Sequence, residues 1–246
     1  MKMKKIVASL ALLVLGVVGL AGCQSRQPSL KPSAQTFKPD GIVTVVKGTA
    51  SKNADLTYQI GNENAKKVTN QGGTFVIQVP SQLKATKVKL TAKHNGATTT
   101  KTVTVAKAKA LASYPKFAMT YNVINQQMKT GAEVLPMQLK DGLTDLVNAD
   151  GMRIRVNVQN QQLVGVAYVF SVNKMKSKTE VKKFAMQLVV LSNSVGADGK
   201  QVLKDYQKLA KKAENGQTTV DNIHSKGVTF ETNFSTKALY MYLVKK

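Results

Sequence analysis

From Gly41 to about Val105 apolar and polar positions alternate in short runs, the period of a strand with one face buried. Ile42-Val43-Thr44-Val45-Val46 is rich in β-branched residues, Leu56-Thr57-Tyr58-Gln59-Ile60 alternates, and Thr74-Phe75-Val76-Ile77-Gln78-Val79 stops at Pro80. Val88 to Lys93 alternates again, reverses at Asn95-Gly96 and returns as Thr98 to Val105. Asn-Gly suits the positive φ that both central positions of a tight hairpin turn require. About six strands in about 65 residues predict a small antiparallel β-sandwich over residues 41–106.

Lys107-Ala108-Lys109-Ala110, with Pro115 soon after, marks a boundary, and residues 111–246 carry a mixed pattern. Phe117, Tyr121, Ile124 and Met128 recur at helical spacing and predict a helix that stops near Gly131. Met152, Ile154, Val156 and Val158 alternate with Arg153, Arg155 and Asn157, as in a strand with one wet face. Through Asn160-Gln161 that strand leads into the almost wholly apolar run Leu163 to Phe170, which reads as more central. Ser177-Lys178-Thr179-Glu180 is a capping box, followed by an apolar stripe of Val181, Phe184, Ala185, Leu188 and Leu191. A second helix is predicted from about Lys200 to Asn215, with Val202, Tyr206, Leu209, Ala210 and Ala213 inward and Gly216 ending it. Val228 to Phe234, a turn at Ser235-Thr236, and Ala238 to Val244 close the chain as a hairpin. The order predicts a two-layer α+β domain whose antiparallel sheet is covered on one face by the helix pair. Tyr168 with Phe170, and Tyr240 with Tyr242, are expected beneath those helices rather than as a sugar-stacking platform.

The first 23 residues follow a different order. Lys2, Lys4 and Lys5 precede an uncharged apolar run from Ile6 to about Leu20, which closes on Leu20-Ala21-Gly22-Cys23. This arrangement resembles a bacterial lipoprotein signal with its lipobox. The resemblance implies a signal peptide over residues 1–22, cleavage between Gly22 and Cys23, and a diacylglyceryl group on Cys23 Sγ. The mature chain would then be held on the extracytoplasmic face of the membrane. The apolar core, about 15 residues, falls short of the about 20 that a spanning helix needs. Because Cys23 is the only cysteine, the mature chain forms no disulfide, and its cores must rest on packing. Residues 23–40 hold Pro28, Pro32 and Pro39 without apolar periodicity, and read as a lipidated tether that could extend to about 50 Å.

Within residues 41–106, Val46-Lys47-Gly48-Thr49-Ala50, Gly73-Thr74-Phe75 before Val79-Pro80, Val88 to Ala92, Asn95-Gly96 and Thr102-Val103-Thr104-Val105 together resemble a bacterial immunoglobulin-like repeat. The resemblance implies a surface module of the kind found along adhesins and glycan-active enzymes. Such modules serve as spacers as often as binders, so fold alone assigns no activity. Residues 111–246 carry no comparable resemblance.

Lys and Arg total 36 against 13 Asp and Glu. The excess is spread along the chain: residues 38–110 hold 12 basic and 3 acidic side chains, residues 111–246 hold 19 and 10. Such a field favours polyanions, namely anionic cell-wall polymers, surface glycans or acidic headgroups. No helix-turn-helix, RNP motif, zinc spacing or tryptophan points to specific nucleic-acid binding. Lys204, Lys208, Lys211 and Lys212 form a basic stripe on the second predicted helix, either an anion-binding face or simply its solvated side.

Catalytic chemistry is hard to place. His94 sits at a hairpin tip, and His224 lies near Asp221 and Ser225, but residues adjacent in sequence do not make a triad, which is defined by geometry. Asp141, Asp145 and Asp150 lack the spacing of a calcium loop. No metal or cofactor is expected. The reading is a membrane-anchored surface lipoprotein, on a cell of Gram-positive type, with a spacer or adhesion β module and a C-terminal interaction domain that is not an enzyme. The alternative is an extracytoplasmic cell-wall or glycan-active enzyme with an accessory β module, whose carboxylates would have to converge in space.

Overall fold

The computed structural model describes residues 27–149, 151–214 and 221–246, without the side chains of 212–214. Gly22, Cys23 and Gly216 lie outside the described residues. In chain order the first strands are β1 (Leu30–Pro32), β2 (Thr36–Phe37), β3 (Val43–Ala50), β4 (Asp55–Ile60), β5 (Lys66–Val68), β6 (Thr74–Pro80), β7 (Thr86–His94) and β8 (Ala97–Val105). They make a three-stranded sheet, β1-β3-β6, and a five-stranded sheet, β2-β8-β7-β4-β5. Val46, Phe75, Ile77 and Val79 of the first sheet and Leu56, Val88, Leu90, Val103 and Val105 of the second meet in one core. The turn between β7 and β8 is the Asn-Gly hairpin, with φ of 46° at Asn95 and 79° at Gly96.

The segment expected to be a tether joins both sheets. β1 pairs antiparallel with β3, and β2 pairs parallel with β8, which buries Leu30 and Phe37 in the core. Proline permits this because Pro32 ends an edge strand, where a missing N–H interrupts no ladder. Gly48 of β3 makes the close approach of β1 feasible: a Cβ there would run into the Lys31 carbonyl oxygen and come within 2.8 Å of Pro32 Cα.

The remaining elements are β9 (Ala112–Ser113), α1 (Tyr114–Met128), β10 (Gly142–Ala149), β11 (Met152–Gln159), β12 (Gln162–Ser171), α2 (Lys178–Ser194), α3 (Gly199–Glu214), β13 (Ile223–Ser225), β14 (Val228–Phe234) and β15 (Ala238–Val244). One antiparallel sheet runs β10-β11-β12-β15-β14-β13, with β9 added against β12. The fold is thus sheet-rich, with three sheets and three helices among the described residues. Ile154, Val156, Val166, Tyr168, Phe170, Phe230, Leu239 and Met241 face Phe117, Tyr121, Phe184, Leu188, Leu191 and Val202 of the helices. The cover is therefore three helices rather than the expected pair.

Three helix details differ from expectation. At the start of α2, Ser177 Oγ accepts from the Glu180 N–H at 3.4 Å, but the Glu180 carboxylate turns to Lys183 at 2.9 Å instead of reaching back. Val181 is 42% exposed, and the buried stripe extends on its other flank to Val190. On α3, Val202 is buried and Tyr206 and Leu209 pack on the core, while Ala210 is exposed; the Ala213 side chain is not described.

The two cores are joined by a polar clamp. Asn157 of β11 is 0% exposed, and its Nδ2 donates to the Ile42 carbonyl at 2.9 Å and the Ser81 carbonyl at 2.8 Å, both in the first unit. Its Oδ1 accepts from Gln159 Nε2 at 3.1 Å. Gly41, at φ 62°, lies so close under the Tyr242 ring that a Cβ would come within 2.7 Å. The connecting segment is bonded at both ends: the Ala108 N–H donates to the Gln82 carbonyl at 2.7 Å and the Leu111 N–H to the Leu163 carbonyl at 2.7 Å.

Candidate functional site

A cleft of about 470 Å³ opens on the helical side of the second unit. Its walls come from Tyr121 on α1, the chain just after α1, the end of β10, Met152 at the start of β11, and α2. The aromatic i, i+4 spacing that builds α1 aims Phe117 and Tyr121 inward together, and α2 supplies Gln187 one turn before Leu191. Gln187 Nε2 donates to the Tyr121 hydroxyl oxygen at 3.0 Å, and both residues are buried. Burial pushes the Tyr121 phenol above its usual range, against the opposing pull of the Gln187 and Asn125 amides. The cleft floor is thus a neutral, hydrogen-bonded pair.

Charge stands at the rim. Glu133 and Glu180 both line the cleft, with Lys183 beside Glu180 at 2.9 Å. The Glu180 side chain is only 15% exposed and that of Lys183 is 53% exposed, so the carboxylate is the more shielded member of the pair. Met152, Met186, Leu146 and Val147 supply apolar walls. The arrangement suits a ligand with hydroxyls to donate and a hydrophobic side to bury.

The residues singled out from sequence fall elsewhere. Lys204, Lys208 and Lys211 are exposed on α3, and Lys208 is held by Asp205 at 3.0 Å; the side chain of Lys212 is not described. The Asp205 carboxyl is held below its usual range by Gln201 and Lys208. His94 Nδ1 lies 3.1 Å from the Asn53 carbonyl, and His224 Nδ1 lies 3.2 Å from Thr229 Oγ1. Ser225, next to His224, points to the opposite face of β13 and accepts from the Asp198 N–H at 2.9 Å, so the two cannot act on one substrate. Asp145 forms a two-pronged bond with Arg155 at 2.6 and 2.8 Å, which lowers its pKa. Asp141 accepts from the Asn160 N–H at 2.7 Å, and Asp150 lies outside the described residues. Among the described residues no three His, Cys, Asp or Glu side chains gather as a metal site, and no helix is long and apolar enough to cross a membrane.

The aromatic pairs part company. Tyr168 and Phe170 lie under the helices, with ring centroids 5.1 and 5.0 Å from Phe184. Tyr240 and Tyr242 alternate with buried Met241 and so face the other side of the sheet, in the cross-strand row that joins Tyr242, Ala167 and Arg155. The helices therefore do not cover them, contrary to expectation. The cleft itself was missed because its residues, Tyr121, Glu133, Glu180 and Gln187, come from separate elements with no motif spacing. Only the buried positions of Tyr121 and Gln187 within otherwise apolar helix stripes hint at it.

No protein-family model and no curated protein sequence matches the chain. Among solved structures it is similar to a mutant of Kfla1895 in complex with isomaltose, at 11% identity and a TM-score of 0.26 over 55% of this chain and 17% of that one. It is likewise similar to that mutant in complex with cyclobis-(1->6)-alpha-nigerosyl, at 10% identity and a TM-score of 0.25 over 55% of this chain and 18% of that one. The chain spans less than a fifth of the length of either, and overlaps this loose bear on neither fold nor activity.

Proposed function

We propose that this chain is a bacterial surface lipoprotein anchored at Cys23, in which an immunoglobulin-like β module mounts a C-terminal interaction domain that meets anionic cell-wall polymer. The observation that carries this reading is the Asn157 clamp. Buried bonds between the two units make them one body, so the module orients the second domain rather than merely trailing beside it. With β1 starting at Leu30, the link from Cys23 spans at most about 24 Å, half of the extended tether the prolines suggested. The lysines of both units then present one fixed cationic field close to the cell surface.

Binding of the purified lipidated chain, in detergent, to poly(glycerol phosphate) tests the reading. Affinity is expected to fall at least about tenfold between 50 and 200 mM salt, because bound counterions are released from the polymer. Retention that ignores salt, or no binding at all, contradicts it.

A second reading, an extracytoplasmic glycan-active enzyme, is favoured by one observation: Glu133 and Glu180 line the same cleft. It requires that the parent release sugar from purified wall glycan and that Glu180→Gln lose at least about a hundredfold of that rate. A parent without hydrolysis removes this reading.

A further inference from the structure

A second concavity, about 500 Å³, lies where the two units meet. Its walls are drawn from stretches far apart in sequence: the chain just after β2, the connecting segment, and the C-terminal end of β15, with Val164 of β12 and Glu231 of β14 between them. They bring five lysines together, Lys38, Lys107, Lys109, Lys245 and Lys246, all exposed, with Glu231 the one carboxylate in the lining. Glu231 is engaged by Lys246. The other four lysines have no carboxylate of their own in the groove.

The placement of these lysines is fixed by backbone bonds. The Ala106 N–H donates to the Phe37 carbonyl at 2.8 Å and the Ala108 N–H to the Gln82 carbonyl at 2.7 Å, so the connecting segment is a strap laid against the first unit. In extended backbone successive side chains alternate, which sets Lys107 and Lys109 outward together while Ala106, Ala108 and Ala110 lie half-buried. The alternation of Lys and Ala, read from sequence as a boundary, therefore places two cations on one wall. The Asn157 clamp bonds the sheet that carries the opposite wall to the first unit.

The structure assigns this groove as a binding site for a linear phosphodiester polymer, an assignment that rests on the proposed surface role and gives it a location. Compact, strongly hydrated ammonium groups suit phosphate oxygens. Lysines on both walls of a concavity can engage successive phosphates of one chain. A planar array of lipid headgroups reaches only the rim of such a groove, so a flexible polymer is the better match.

The test compares two variants of the lipidated chain, each with four lysines replaced. One carries Lys38→Gln, Lys107→Gln, Lys109→Gln and Lys245→Gln in the groove. The other carries Lys200→Gln, Lys204→Gln, Lys208→Gln and Lys211→Gln on α3. Both remove the same charge from exposed positions, and thermal melting checks that both fold like the parent. The groove variant is expected to bind poly(glycerol phosphate) at least about tenfold more weakly than the parent and with a shallower salt slope, while the α3 variant stays within about threefold. Equal losses in the two variants, or a larger loss on α3, overturn the groove while leaving the surface role intact. A parent that does not bind the polymer overturns the surface role, and the groove with it. Loss of binding to anionic lipid vesicles without loss of binding to the polymer would instead make the groove a headgroup contact, and also overturns the assignment.

Discussion

With its side-chain amide buried between two carbonyls of the neighbouring unit, Asn157 satisfies groups that have no route to water. Leucine in its place fills a similar volume but takes the Asn157 amide away from the Ser81 carbonyl and the Gln159 amide, while the Ile42 carbonyl still accepts from the Ser81 N–H at 3.2 Å. Asn157→Leu is expected to cost about 3 kcal/mol, since each orphaned buried group costs about 1–3 kcal/mol. Denaturant unfolding measures the loss, and faster proteolysis within residues 106–111 would accompany it as the two units loosen. Phe184 plays the apolar counterpart inside the second core, touching the rings of Tyr168, Phe170 and Tyr206. Phe184→Ala is expected to cost about 3–5 kcal/mol in the same measurement. Of these two residues only Phe184 was legible in the sequence, as part of a helical stripe. Asn157 read as the wet face of an amphipathic strand, because alternation reports that a side chain leaves the core but not that another domain waits there.

Elements with strong periodicity and marked turns were legible almost to the residue. β11 and β12 join through Asn160 and Gln161, with φ of 50° and 56°, and β14 and β15 match the run expected for the closing hairpin. β10 was not legible. Its pairing with β11 shifts register between Asp145 and Val147, so Leu143 and Val147, in phase in the sequence, stand opposite Asn157 and Ile154, which point to opposite faces of the sheet. β1 and β2 were hidden by their shortness and by the prolines around them. β1 is also the element most open to a single change. Gly48→Ala sets a methyl group against Lys31 and Pro32 and is expected to lift β1 from β3. Exposure of Leu30 then costs about 2 kcal/mol, and the Ser33 amide, which donates to the Lys47 carbonyl at 2.9 Å, should exchange with solvent far faster. Unchanged exchange at Ser33 would show that β1 tolerates the methyl group.

At the scale of the whole molecule, stability depends on neutral tyrosines. Burial raises the pKa of Tyr114 to about 12, and it pushes Tyr121, Tyr168, Tyr206 and Tyr242 upward as well. The folded state therefore holds these protons more tightly than the unfolded chain, whose phenols titrate near about 10. The stabilisation is complete below about pH 10 and is lost as pH rises toward 12. Phenolate absorbance and far-ultraviolet circular dichroism, followed together through that window, should change together. Ionisation of all seven tyrosines near pH 10 with the dichroism intact would contradict it.

On the proposed reading, charge and a lipid on Cys23 would set where this body works. The lysine excess was plain in the composition, but its concentration at the junction depends on the way the strap, β2 and β15 converge, which no local pattern encodes. The claim beneath the whole account is that Cys23 carries lipid and holds this body to the outer face of a membrane. Labelled palmitate supplied to cells that make the parent or Cys23→Ala tests it most directly. Label is expected on the parent, which is recovered with membranes, and the Cys23→Ala chain is expected to be unlabelled and no longer membrane-bound through lipid. An unlabelled parent, or a Cys23→Ala chain held as firmly in the membrane fraction as the parent, would contradict it.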